Sequence, residues 1–369
     1  MKQTYSTLKH LTLIVMLLAG FACQRISEGS KKASEKIKLT TTARYETTAM
    51  PQPVDEDAAD DPAIWLNPKD STQAYIIGTD KKGGLAVYDL KGKQLHYHAD
   101  GNMNNVDVCY GFVLNNDTLD LVCCTNRSTE GLSIYKIQAD GSLVNVSNRA
   151  IKTQMSGEVY GFCMYKSPST QKIFAFMNSK EGDVEQWELF ASDSLVDARL
   201  VRSFQLGTQV EGMVADDDNQ VVFIGEEVDG IWKFDAEPNG RPEGVKLAKS
   251  SETDNENISF DIEGLSIYYL PDGDGYLLAS SQGNYSYAVY ERQAPHKYLG
   301  SFRIADGEVD GAEETDGIDI FSTYMNEDFK HGLLVVQDGY NYDGEQAIAQ
   351  NFKLVPWENV ANLLKLKQN

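Results

Sequence analysis

Three carboxylates crowd into the stretch DAADDPAIW (57–65), at Asp57, Asp60 and Asp61, just ahead of an apolar run. Carboxylates held that close against apolar chain repel one another and lose hydration, so they call for a counter-charge or for open water. Taken alone, the stretch reads as readily as a solvated turn. The balance shifts because the pattern of DDPAI (60–64) recurs along the chain, in NVDVC (105–109), VYGFC (159–163), VEGMV (210–214), DIEGLSI (261–267) and TDGIDI (315–320). Five of the six segments carry acids: Asp60 with Asp61, Asp107, Glu211, Asp261 with Glu263, and Asp316 with Asp319. The remaining segment offers Tyr160, with Glu158 nearby. Hard oxygen donors in that number, with no His or Cys beside them, suit calcium better than zinc or copper.

Basic residues recur as well. GTDKKGG carries Lys81 and Lys82, TNRS carries Arg127, and NSKEGD carries Lys180 and Glu181. Any one lysine is by default solvated surface charge, but these three loops hold matching places in consecutive units, so they meet on one face. An arc of cations beside acid-held metal is a site for a highly charged anion. Phosphate fits it: Arg forks its oxygens, Lys neutralises them and metal ions bridge them. The chain has no glycine-rich phosphate loop, and none of its five histidines (His10, His96, His98, His296, His331) stands beside a nucleophilic Ser or Cys. The chemistry left open is direct attack on phosphorus by metal-activated water.

These residues must be positioned by short strands, because helical periods are few after residue 55 while Gly, Asn and Asp punctuate frequent apolar runs. A glycine-apolar-aromatic strand pattern repeats as GLAVY (84–88), GLSIY (131–135), DVEQW (183–187), GIWKF (230–234), SYAVY (286–290) and GLLVV (332–336), with ends spaced 47, 52, 47, 56 and 46 residues apart. Six such units predict an all-β fold, a six-bladed β-propeller with a central channel lined by the acid-bearing segments. A β-sandwich does not predict two signatures repeated in register.

The motifs DAADDPAIW, NNVDV, GTDKKGGLAVYDLKGKQL, EVYGFCMY, DIEGLSIYY, SSQGN, TDGIDI and QNFKLVPWE together resemble the β-propeller phytases, from about residue 50 to residue 362. The resemblance implies a calcium-dependent phosphoric monoester hydrolase of 3-phytase type. Its substrates would be myo-inositol hexakisphosphate (phytate), calcium–phytate and lower inositol phosphates, with several Ca²⁺ ions in the channel and a bridging water as nucleophile. By motif, it implies metal ligands at Asp60, Asp61, Glu211, Glu227, Asp261, Glu263 and Asp316, a further ion at Asp310 and Asp338, and a polar neighbour at Gln282. It also implies that Lys81, Lys82, Arg127, Tyr160 and Lys180 bind phosphate and that Glu181 spans lysine and metal. The sequence departs from the family at Cys109, where a basic residue is usual, at Glu314, where Asp is commoner, and at Cys123-Cys124. A basic residue missing at 109 would weaken the cationic arc. Two other readings are a calcium-dependent lactonase or esterase, which needs no basic arc, and a non-enzymatic binding propeller.

A net charge of −22 over 369 residues excludes non-specific nucleic-acid binding. Lys2 and Lys9, the apolar run LTLIVMLLAGFA (11–22) and then Cys23 read as a lipoprotein-type signal over residues 1–22, with an ordinary secretory signal as the alternative. Residues 23–45 read as a flexible tether and 46–366 as the propeller domain. The expectation is an exported monomer, anchored through lipid on Cys23 at the periplasmic or cell surface, or else secreted. The remaining cysteines, Cys109, Cys123, Cys124 and Cys163, match no zinc spacing and read as small buried apolar residues, Cys123 and Cys124 facing opposite ways. One cross-strand disulfide is left open.

Overall fold

A computed structural model describes residues 30–70 and 72–369. The signal segment and Cys23 lie outside the described residues. Adjacent apolar residues on the strands serve opposite faces. Ile76 packs with Leu333 and Phe352, whereas its neighbour Ile77 packs with Val122 and Tyr135. A sheet with two apolar faces must be covered on both sides, and here each sheet lies between two others. The core is accordingly divided into six clusters, one between each pair of adjacent blades. Cys123 and Cys124 follow the same rule, the first facing the third blade and the second facing the first.

Counted outward from the channel, the first blade is Ala59–Leu66, Ala74–Asp80, Gly84–Tyr88 and Gln94–His98. The second is Met103–Leu114, Asp117–Asn126, Gly131–Ile137 and Leu143–Asn145, with Ile151–Lys152 on the same edge. The third is Val159–Lys166, Ile173–Ser179, Asp183–Ser192 and Leu195–Gln205, and the fourth is Val210–Asp216, Val221–Glu226, Gly230–Asp235 and Val245–Lys246. The fifth is Ile262–Tyr269, Gly275–Ser281, Ser286–Glu291 and Tyr298–Ala305. The innermost strands touch one another in a closed circuit. The six-bladed propeller expected from the repeat is the fold.

The last blade closes the ring with chain from both ends. Ile318–Phe321, Leu333–Asp338 and Asn351–Pro356 are followed outward by Tyr45–Glu46, and Thr40–Thr42 adds a parallel strand to the outer edge of the fifth blade. The boundary between tether and domain therefore falls earlier than the residue 45 suggested by composition. A polar Thr-Thr-Thr segment can serve as an edge strand because its backbone does the pairing. Thr41 alone turns inward, and Ile37 and Ala43 on either side are buried. The repeat needs one further correction. GLAVY and its next four counterparts are third strands, but GLLVV lies on the second strand of the sixth blade. Second and third strands are apolar on both faces alike, so the pattern does not separate them. Among the described residues no helix is long and apolar enough to cross a membrane.

Candidate active site

Five inner strands open with the same irregularity, a break in pairing register between Ala59 and Pro62, Met103 and Val106, Val159 and Phe162, Val210 and Met213, and Ile262 and Leu265. Such bulges re-aim side chains. The residues inside them are Asp60-Asp61, Asn104-Asn105, Tyr160-Gly161, Glu211-Gly212 and Glu263-Gly264, and Asp316-Gly317 takes the same place in the sixth blade. The first member of each pair gathers at one mouth of the channel. The second is glycine in four blades for a steric reason. A Cβ on Gly161 would stand 1.8 Å from the carbonyl oxygen of Glu211, and one on Gly212 would stand 2.1 Å from that of Glu263.

Carboxylate oxygens of Glu211, Glu227 and Glu263 lie within 4.8 Å of one another, and all three residues are buried. Both carboxylate oxygens of Asp60, and Oε2 of Glu263, are buried without a hydrogen-bond donor. Burial, reinforced by the Glu211 charge, pushes the carboxyls of Asp60 and Glu263 well above the usual range. The same causes raise Glu227 to about 8. Burial raises Asp316 to about 6 despite Lys81 beside it, and it raises half-buried Asp261 as well. Buried carboxylate oxygens without donors fit a hard divalent cation, which supplies the counter-charge that the protein withholds.

The cations occupy a second ring. The first residue after the second strand of each blade is, in order, Lys81, Arg127, Lys180, Glu227, Gln282 and Gly339. One register position thus carries three positive charges over half the ring, and then an acid and an amide. Lys81 is buried, with Nζ 2.8 Å from Asp316 Oδ2, 2.7 Å from Asp57 Oδ1 and 3.9 Å from Asp60 Oδ2. Burial opposes its charge, but those acids hold its pKa well above the lysine range. Arg127 and Lys180 stand 5.1 and 4.7 Å from the centre of the Tyr160 ring. Gln282 Nε2 donates to Asp316 Oδ1 over 2.6 Å. Lys81, Tyr160, Glu227, Asp261, Glu263, Gln282 and Asp316 face a common cleft of about 630 Å³.

The acids read as one set divide into two tiers. Asp61, Asp107 and Asp319 line the channel below the mouth, and each carboxylate ties neighbouring inner strands together. Asp61 Oδ2 accepts from Val106 N (3.0 Å), Asp107 Oδ2 from Met164 N (2.7 Å) and Asp319 Oδ2 from Ile64 N (2.8 Å). The second blade's residue at the mouth is therefore Asn104, not Asp107, and its Nδ2 donates to Glu211 Oε1. The sequence carries this signal as NN (104–105) aligned with DD (60–61), one residue earlier than NVDVC aligned with DDPAI.

Three further expectations are revised. Glu181 is exposed and forms no ion pair among the described residues; Glu158 stands in its place, with Oε2 2.9 Å from Lys180 Nζ and Oε1 3.6 Å from Arg127 Nε. Lys82 is turned to Glu56, at 3.2 Å. At Asp310 and Asp338, expected to hold a further ion, the cation is the buried ammonium of Lys353. Its Nζ contacts Asp310 Oδ1 and lies 3.1 Å from Asp338 Oδ2, 2.6 Å from Glu46 Oε2 and 3.0 Å from Asn341 Oδ1. Cys109 packs in the core between the second and third blades, so a basic residue missing there takes nothing from the arc. All four described cysteines are buried and free. Glu314, another departure, lines the cleft and accepts from Tyr285 OH at 3.4 Å.

Comparison with known proteins shows the family. The chain is 42% identical to a 3-phytase of Bacillus subtilis (strain 168) over 363 residues, 96% of this chain and 93% of the relative. A solved structure of a functionally unknown protein from Desulfotomaculum acetoxidans DSM 771 aligns with a TM-score of 0.45 at 15% identity, covering 69% of this chain and 74% of that one. A family model described as Phytase matches residues 7–369. On a match that takes in all six blades and the strands that close them, the chain belongs to the phytase family.

Proposed function

We propose that the chain is a calcium-dependent phytase that removes phosphate from myo-inositol hexakisphosphate and its calcium complex, and then from lower inositol phosphates. The observation that carries this reading is the meeting, at one channel mouth, of buried carboxylates without donors and a three-blade arc of cations. Glu211, Glu227, Glu263, Asp60, Asp316 and Asp261 are the residues that would hold calcium. Bound there, calcium supplies an acidified water and a Lewis acid for the phosphoryl oxygens.

The chain's own residues do the rest. Lys81 is held in the mouth by Asp316 and Asp57, so its charge is fixed where a phosphate must arrive. Arg127 and Lys180, packed against Tyr160 and both in contact with the Glu158 carboxylate, present a guanidinium fork and an ammonium. Such fixed charges are aimed at the negative charge that develops on the transferred group and cost no reorganisation as it develops. Gln282 orients Asp316, and Asn104 orients Glu211. The acidic surface disfavours a bare polyanion, so a substrate already carrying calcium is the better match.

The chain is further proposed to act outside the cytoplasm as a monomer, anchored by lipid on Cys23 or else secreted; its N-terminal charges, apolar run and Cys23 support this. Phosphate release from phytate, measured with calcium, with excess chelator and with Glu211→Ala, tests the catalytic reading. Release should require calcium and vanish in the variant. A folded, calcium-loaded protein that releases no phosphate would overturn it.

A further inference from the structure

Each basic residue that the sequence suggests for phosphate is already capped by a carboxylate of the chain itself. Lys81 meets Asp57, Lys82 meets Glu56, and Arg127 and Lys180 share Glu158. The shared cap is the informative one. Glu158 immediately precedes the inner strand Val159–Lys166, and its carbonyl accepts from Lys180 N at 3.2 Å, so its backbone is tied to the loop that presents the lysine. Its side chain is 46% exposed and its two oxygens point to different cations, Oε2 to Lys180 and Oε1 to Arg127. Both cations also rest against the Tyr160 ring. A planar oxyanion bridging a guanidinium and an ammonium, open to solvent on its outer side, stands where a phosphate would stand.

We propose that Glu158 is a specificity-determining residue: its carboxylate holds the anion position between Arg127 and Lys180, and a substrate phosphate must displace it. This rests on the assignment of those two cations to phosphate. A lone inorganic phosphate gains at this position little more than the contacts it breaks. A polyphosphorylated ring held elsewhere in the cleft presents its second phosphate at high effective concentration and wins the exchange. Glu158 therefore selects for molecules carrying several phosphates and protects the site from its own product.

The test uses the full-length protein with calcium, comparing wild type with Glu158→Gln, Glu158→Ala and Glu158→Asp. Inorganic phosphate binding is measured by calorimetry, and KM and kcat for phytate and inhibition by phosphate are measured in parallel. Phosphate should bind and inhibit about threefold or more tightly in the Gln and Ala variants. KM for phytate should fall as well, by no more than the phosphate constant does, and Glu158→Asp should restore most of the cap. Unchanged phosphate affinity in both neutral variants, with melting temperatures near wild type, would overturn the proposal, as would an equal gain in Glu158→Asp. Calorimetry reads phosphate binding whether or not phytate is turned over. Failure of the catalytic reading would show instead as absent turnover in the wild type.

Discussion

Asn104 Nδ2 donates to Glu211 Oε1 over 2.6 Å, joining the second blade to the fourth across the channel mouth. The two residues hold the same place in their bulges, so the bond spans the ring rather than linking neighbours. It fixes the rotamer of an acid that belongs to the buried carboxylate cluster. Groups that orient a ligand in this way are worth about 10- to 100-fold in metal affinity or activity. Asn104→Ala should lower calcium affinity and phosphate release within that range while barely moving the melting temperature in chelator. An Asn104→Ala protein with wild-type calcium affinity would remove the orienting role.

The metal-free protein should respond to pH in an unusual direction. Burial lifts Asp316 to about 6, Glu227 to about 8, Asp107 in the lower channel to about 7, and Asp217, which follows the inner strand Val210–Asp216 and accepts from Lys166 N, to about 7. All four values lie above those of the unfolded chain, so between pH 4 and pH 8 the folded state binds more protons. Stability is full below the unfolded carboxylate values and is lost as pH rises through the folded ones. In chelator, the melting temperature should fall from pH 5 to pH 8. With calcium in excess the trend should flatten or reverse, because the cation binds the deprotonated cluster. Thermal melts across that range in both conditions decide it; parallel curves would mean that calcium binds elsewhere.

The N-terminal strands should be part of the stability of the ring. Removing residues 1–29 leaves every described pairing intact, whereas removing 1–45 deletes Thr40–Thr42 and half of the short closing strand Tyr45–Glu46. It also deletes the buried Ile37 and Ala43. The longer truncation should melt several degrees lower, and the shorter should melt with the full chain. Equal melting temperatures would show that the sixth blade closes without this segment.

Much of this was legible in the primary structure, and the gaps have physical causes. The recurring apolar strand signature and its near-constant spacing carried the six blades, since each sheet needs two apolar faces. The mouth residues Glu211, Glu263 and Asp316 were visible because the glycine after each is demanded by a neighbouring inner strand. Asn104 was hidden because its blade has Asn105 in that glycine's place, which left nothing to set the frame. Asp107 and Asp319 were misplaced in depth: an acid three residues along a strand looks alike in sequence whether it meets the cleft or an inter-strand amide. Glu158 was overshadowed by Glu181, and only the folded loop shows which acid meets Lys180. Lys353 gave no signal at all, since its three acidic partners come from residues 46, 310 and 338.

That lysine supports the last prediction. Lys353 is fully buried in the third strand of the sixth blade, next to the closing strand that carries Glu46. Burial works against its charge, yet Asp338, Asp310 and Glu46 keep its pKa above the ordinary lysine range. One ammonium thus neutralises acids from the N-terminal strand, from the segment leading into the sixth blade and from that blade's second strand. Lys353→Met keeps the stem and removes the charge, leaving three carboxylates facing one another with Asp338 fully buried. Breaking a buried pair by deleting one partner costs about 3–5 kcal/mol. Urea unfolding in chelator should show a loss of that size, and the triple variant Glu46→Gln, Asp310→Asn, Asp338→Asn on the Met background should recover part of it. A Lys353→Met protein as stable as wild type would mean that the acids protonate at little cost and that the ammonium does not close the ring.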